Sequence, residues 1–90
     1  MDYRYKIVNN EIIEVSLING KPVETPTGVK AFYTKKEICE KYHWGKTLMQ
    51  QRLAELGQYI YDTTKEGFVT TKKTFSPYEM TLILNYFGLP

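Results

Sequence analysis

Apolar and polar positions alternate over residues 3–8 (YRYKIV), which predicts a strand with one face inward and one face wet. Residues 11–18 (EIIEVSLI), rich in Ile and Val, predict a second strand. Asn tolerates positive φ, so Asn9-Asn10 fits a tight turn between them. Asn19-Gly20 is the strongest short hairpin signal in the chain. Residues 21–24 predict a third strand, which Pro22 confines to an edge. Residues 25–28 (TPTG) read as a loop, and 29–33 as a lead into a helix or one more short strand. Residues 1–33 are thus expected to form an antiparallel β meander.

The period then lengthens from two to between three and four. Thr34 is a helix N-cap candidate, because its hydroxyl can accept from a free N–H of the first turn. Glu37 stands where it would reach back to the Thr34 N–H and close a capping box, with Tyr33 and Ile38 placed for a hydrophobic staple. Ile38, Cys39 and Tyr42 share one face. This helix is expected to stop near His43-Trp44-Gly45. A second apolar run follows, with Met49, Leu53 and Leu56 at i, i+4 and i+7, and Gly57 reads as its C-cap. Residues 59–62 (YIYD) and 68–71 (FVTT), flanking TTKEG, predict a hairpin over 59–73. Ser76-Pro77-Tyr78-Glu79 is the clearest helix start, with Ser76 as N-cap, Pro77 at the first helical position and Glu79 closing a capping box. Met80, Ile83, Leu84 and Phe87 continue it as an apolar stripe to Gly88. That stripe is expected to be core, with a dimer face as the alternative. The expected class is α+β in a single domain, 1–90.

Ninety residues suffice for a modest core without disulfides or a metal. Cys39 is the only cysteine, which excludes an internal disulfide and a cysteine-based zinc cluster. No apolar run approaches the roughly 18 residues of a spanning helix, and the first 15 residues do not read as a signal peptide. A cytoplasmic protein with no membrane association is expected. The net charge of +2 matters less than its distribution. Residues 1–33 carry four basic and four acidic side chains, whereas residues 34–75 carry eight and five. The excess lies where a phosphate-binding face would need it; a mixed solvated surface is the bland alternative.

The layout of residues 34–56 resembles the helix-turn-helix of DNA-binding proteins. Ile38 and Cys39 match the apolar and small positions of its first helix. Trp44 matches the apolar plug of the turn, Gly45 the small residue that opens the second helix, and Met49 the apolar anchor beyond it. His43 departs from the pattern, which usually has a left-handed glycine there. With the 59–73 hairpin as a wing, the whole is similar to winged-helix proteins of phages and mobile elements, such as excisionase-like or antirepressor-associated domains. An ordinary helical hairpin would use the same caps and spacing.

The resemblance implies a non-enzymatic regulator of transcription that reads the major groove with helix 45–56. Lys46, Thr47, Leu48, Gln50 and Gln51 would then face the DNA, with Arg52 on its flank. Gln pairs bidentately with adenine, and Thr47 or Leu48 would touch a thymine methyl. As the bland reading, glutamines are simply good helix formers on a wet face. Lys35 and Lys36 oppose the macrodipole of the first helix, which an anion nearby would explain. Lys65 at the hairpin tip and Lys72 and Lys73 at its base would meet phosphates or a minor groove, or else blunt a sheet edge. Double-stranded DNA is the expected partner, with a homodimer or cooperative array for operator-grade affinity.

Catalysis has little support. His43 is the only histidine, so neither a two-histidine metal site nor a Ser-His-Asp array can be specified. No Gly-rich phosphate loop is present, and no cofactor is expected. Eight tyrosines is a high count for this length. Tyr3 with Tyr5, and Tyr59 with Tyr61, would each share a strand face and pack across strands, or form an interaction surface. The competing function is therefore a protein-binding inhibitor or adaptor of a host or defence protein, acting through the N-terminal meander.

Overall fold

Two two-residue turns set up the N-terminal sheet. Asn9 and Asn10 have φ of 50° and 64°, and Asn19 and Gly20 have 53° and 76°. This is the double positive φ whose twist matches paired strands. In the computed structural model, which describes residues 4–90, the turns join β1 (Tyr5–Val8), β2 (Glu11–Ile18) and β3 (Lys21–Lys30) in the order β1-β2-β3, all antiparallel. Tyr3 lies outside the described residues.

β3 runs six residues beyond the expected 21–24, through the stretch that reads as a loop. The reason is a bulge. Glu11 pairs with Lys30 and Ile13 with Pro26, so Thr27, Gly28 and Val29 together oppose Ile12. The Thr27 hydroxyl donates to the Ile12 carbonyl at 2.7 Å and accepts from the Val29 N–H at 3.2 Å. Gly28, at φ 77°, supplies the left-handed step. The side chain of Thr27 replaces ladder bonds that the bulge removes.

The described chain divides into two compact units. Residues 4–32 with Ser76–Leu89 form one, and Tyr33–Phe75 the other. In the first, the final helix (Pro77–Phe87) packs against β1. Its start is as expected. Ser76 Oγ accepts from the Glu79 N–H at 3.2 Å, and Glu79 Oε1 accepts from the Ser76 N–H at 2.8 Å. Met80, Leu82, Ile83 and Leu84 are buried, as are Tyr5, Ile12, Ile13 and Phe32. Phe87 is half-buried.

Asn85 carries a role that periodicity does not reveal. Its Oδ1 accepts from the Tyr5 N–H at 2.9 Å and its Nδ2 donates to the Tyr5 carbonyl at 3.0 Å. The amide thus stands in for a neighbouring strand at Tyr5. Asn85→Ala leaves both backbone groups without that partner, and a loss of about 1–3 kcal/mol is expected in urea unfolding.

In the second unit, α1 spans Lys35–Tyr42 and α2 spans Lys46–Thr64. Thr34 caps α1, with its Oγ1 accepting from the Glu37 N–H at 3.1 Å. The reciprocal bond differs from expectation. Glu37 Oε1 accepts from the Thr34 hydroxyl at 3.0 Å and the Tyr33 N–H at 3.5 Å, and not from the Thr34 N–H. His43 takes the left-handed conformation (φ 57°, ψ 40°), and the Trp44 N–H closes the end on the Cys39 carbonyl at 3.0 Å. His is among the residues that visit this region more readily than most.

The expected 59–73 hairpin is absent. α2 continues through Gly57 and residues 59–62 to Thr64. Ile60 extends the buried row of Met49, Leu53 and Leu56 by one more turn. A two-stranded hairpin standing alone would bury little, whereas one more helical turn buries Ile60 with a row already formed. Tyr59 and Tyr61 therefore share no strand face. The helix ends at Lys65, left-handed at φ 62°, whose N–H donates to the Tyr61 carbonyl at 2.8 Å. Residues 65–70 then return without regular structure. Phe68 and Phe75 stack with ring centroids 5.9 Å apart.

Candidate functional site

Tyr33–Phe75 contains all eleven residues singled out for nucleic-acid contact. The structure sorts them into three groups.

The first group lines an open groove of about 570 Å³. Lys35 and Lys36 come from the first turn of α1, Lys46 and Gln50 from the start of α2, and Lys73 from the returning segment. Met49 and Cys39 add apolar surface, and Glu40 is the one acidic group. Four ammonium groups against one carboxylate make the groove strongly positive. Lys36, Lys46 and Lys73 are exposed, and their side chains have no hydrogen-bond or ion-pair partner among the described residues. The start of α2 adds to this field. Gly45 provides no side-chain cap and the first turn has no acidic residue, so its amide groups and macrodipole present positive potential beside Lys46.

The second group is the outward face of α2. At 100° per residue, Thr47 and Gln51 fall on one row with Ala54, opposite the buried row. All three are exposed. These three side chains are uncharged. Gln50 and Gln51 therefore separate. Gln50 lies on the lysine groove, and Gln51 on the outward row. Leu48, 37% exposed, lies on the far flank from the lysines. Arg52 is half-buried and pairs with Glu55 at 3.4 Å.

The third group leaves the site. With no hairpin, Lys65 is the residue that ends α2, its Nζ 5.5 Å from the Tyr61 ring centroid. A cation there complements the negative end of the helix. Lys72 places its Nζ 5.9 Å from the Phe75 ring centroid. Neither sits at the tip or base of a wing.

Three sequence expectations inside the helix pair change. Cys39, matched to the small position of the first helix, is half-buried and reaches the groove wall. Trp44, expected as the apolar plug of the turn, is only half-buried and stacks on Tyr42 at 4.6 Å between centroids. Lys35 does not stand free, since its Nζ donates to the Thr70 carbonyl. Thr70 and Thr71 were not singled out from the sequence, because nothing local says that residues 70–74 return beside α1.

No family model matches the chain, and comparison with curated proteins and with solved structures finds no similar protein. The described residues contain no group of three or more His, Cys, Asp or Glu side chains placed to hold a metal. No helix among them is long and apolar enough to cross a membrane.

Proposed function

We propose that Tyr33–Phe75 binds double-stranded DNA, with α2 as the reading helix and the lysine groove on a phosphate backbone. The observation that carries this reading is the convergence of Lys36, Lys46 and Lys73, all unpartnered, beside the uncapped start of α2. Side chains that positive, without acidic partners, repel one another unless an anion is present, and helix starts favour phosphate. The row of Thr47, Gln51 and Ala54 supplies neutral groups to base edges on the adjacent face of the same helix. Lys46 and Gln50, facing the groove, position the backbone and carry no sequence information. The helix-turn-helix resemblance of residues 34–56 and the role as a phage or mobile-element regulator belong to this reading. The winged-helix part does not, because α2 occupies the first arm of the hairpin.

Fluorescence anisotropy with a mixed-sequence duplex, across a salt series, tests the proposal. Binding that weakens steeply as salt rises, and is lost in Lys46→Glu, is expected. No binding even at low salt would overturn it.

A second reading, a protein-binding adaptor, is favoured by one observation. The far end of the β2–β3 hairpin exposes Leu17 by 76% and Ile18 by 54%. A partner held there would be lost on Leu17→Lys and indifferent to Lys46→Glu.

A further inference from the structure

The segment that brings Lys73 to the groove has almost no regular structure of its own. Residues 65–70 are irregular, and 71–73 are a succession of bends. Something outside the segment must hold it. Three bonds tie it to the approach and first residue of α1. The Phe75 N–H donates to the Tyr33 carbonyl at 2.7 Å and the Lys35 N–H donates to the Lys73 carbonyl at 3.0 Å, and these two bonds make the Thr34–Thr74 bridge. The third is made by a side chain, the Lys35 ammonium on the Thr70 carbonyl. It is also the one farthest up the segment from Phe75.

We propose that Lys35 is a positioning residue: its side chain latches residues 70–73 so that Lys73 faces Lys36 across the rim of the groove. The placement supports this. Thr34, Lys35, Lys36, Lys73 and Thr74 line one hollow. Lys35 is half-buried while Lys36 and Lys73 are exposed. A charged donor on a backbone carbonyl is among the stronger hydrogen bonds, and here it crosses 35 residues of sequence. The latch also accounts for a lysine at the unfavourable end of α1. Its charge is directed at a carbonyl oxygen, away from the helix amides. Lys35 thus adds to the phosphate site through Lys73, and takes no phosphate of its own. The consequence for DNA rests on the DNA-binding reading above; the latch does not.

The test has two arms on the full chain. In the first, limited trypsin digestion is read by mass at Lys72 and Lys73. Lys35→Met keeps the aliphatic stem and removes the donor, and is expected to speed cleavage there by about tenfold. Lys35→Arg restores protection, Lys36→Met leaves cleavage at the wild-type rate, and amide protection in α2 is unchanged in all three. Equal cleavage in Lys35→Met and wild type would overturn the latch, as would equal acceleration by Lys36→Met. The second arm is the salt dependence of duplex binding. A latch makes Lys35→Met lose about 0.9 from the log–log slope, with no further loss in Lys35→Met/Lys73→Met; two independent phosphate ligands would lose about 1.8 in the double variant and overturn it. If wild type binds no DNA while Lys35→Met still frees the segment, the DNA reading falls and the latch stands.

Discussion

Gly57→Pro is expected to destabilise the Tyr33–Phe75 unit by about 3 kcal/mol, and Gly57→Ala to stabilise it by about 0.5–1 kcal/mol. The opposite signs follow from the position of Gly57 inside α2, not at its end. Proline there removes a helical hydrogen bond and presses its ring on the carbonyl four residues back, at Leu53. Alanine adds only a methyl group. Its Cβ would lie 3.7 Å from the Phe68 carbonyl oxygen and 3.8 Å from Thr70 Cγ2, ordinary contact distances. It would also remove the conformational freedom that makes glycine a weak helix former. Trp44 is the only tryptophan and lies in this unit, so urea unfolding followed by its fluorescence reads the relevant transition. A neutral Gly57→Pro would mean that the helix ends there in solution, and would restore the hairpin reading of 59–73.

The second large effect concerns the lysine groove. Replacing Lys36, Lys46 and Lys73 together by alanine is expected to flatten the dependence of log K on log salt by about 2.7. At low salt the same change should weaken duplex binding by roughly a hundredfold, about 2.7 kcal/mol. The proper control removes Lys6, Lys21 and Lys30, three lysines of β1 and β3, which changes the net charge equally. Long-range attraction falls alike in both triple variants, but only the groove variant loses close phosphate contacts. Equal losses in the two would sink the groove as the site and leave only nonspecific charge attraction.

Local chemistry made much of this protein legible from its sequence. The two turns could be read because Asn-Asn and Asn-Gly tolerate a backbone conformation that most residues avoid. Thr34 and Ser76 could be read as caps because their hydroxyls satisfy amides three residues away, a requirement met within one turn. The buried rows of the helices, Met49-Leu53-Leu56 and Met80-Ile83-Leu84, are visible in spacing alone. So is the order of a β meander followed by helices.

What failed was any decision that depends on partners distant in the chain. Tyr59-Ile60-Tyr61 has strand propensity and follows a glycine, so local preference favours a hairpin. The buried row already started by Met49 overrides it, since Ile60 gains burial only if the helix goes on. Thr25-Pro26-Thr27-Gly28 has loop composition, yet the strand continues because Thr27 can bond to Ile12 fifteen residues away. Asn85 looks like an exposed polar position on a helix, but its amide serves the backbone of Tyr5, eighty residues away.

The candidate site divides in the same way. Sequence alone determined which residues are cationic, where two helices begin, and that Lys46 and Gln51 stand on the second of them. Only the tertiary structure decided that Lys73 joins Lys36 and Lys46 at one groove while Lys65 and Lys72 do not. A charge is written in the residue, but its neighbours are set by the path of residues 65–75. That path is held by hydrogen bonds to α1 that no local pattern encodes.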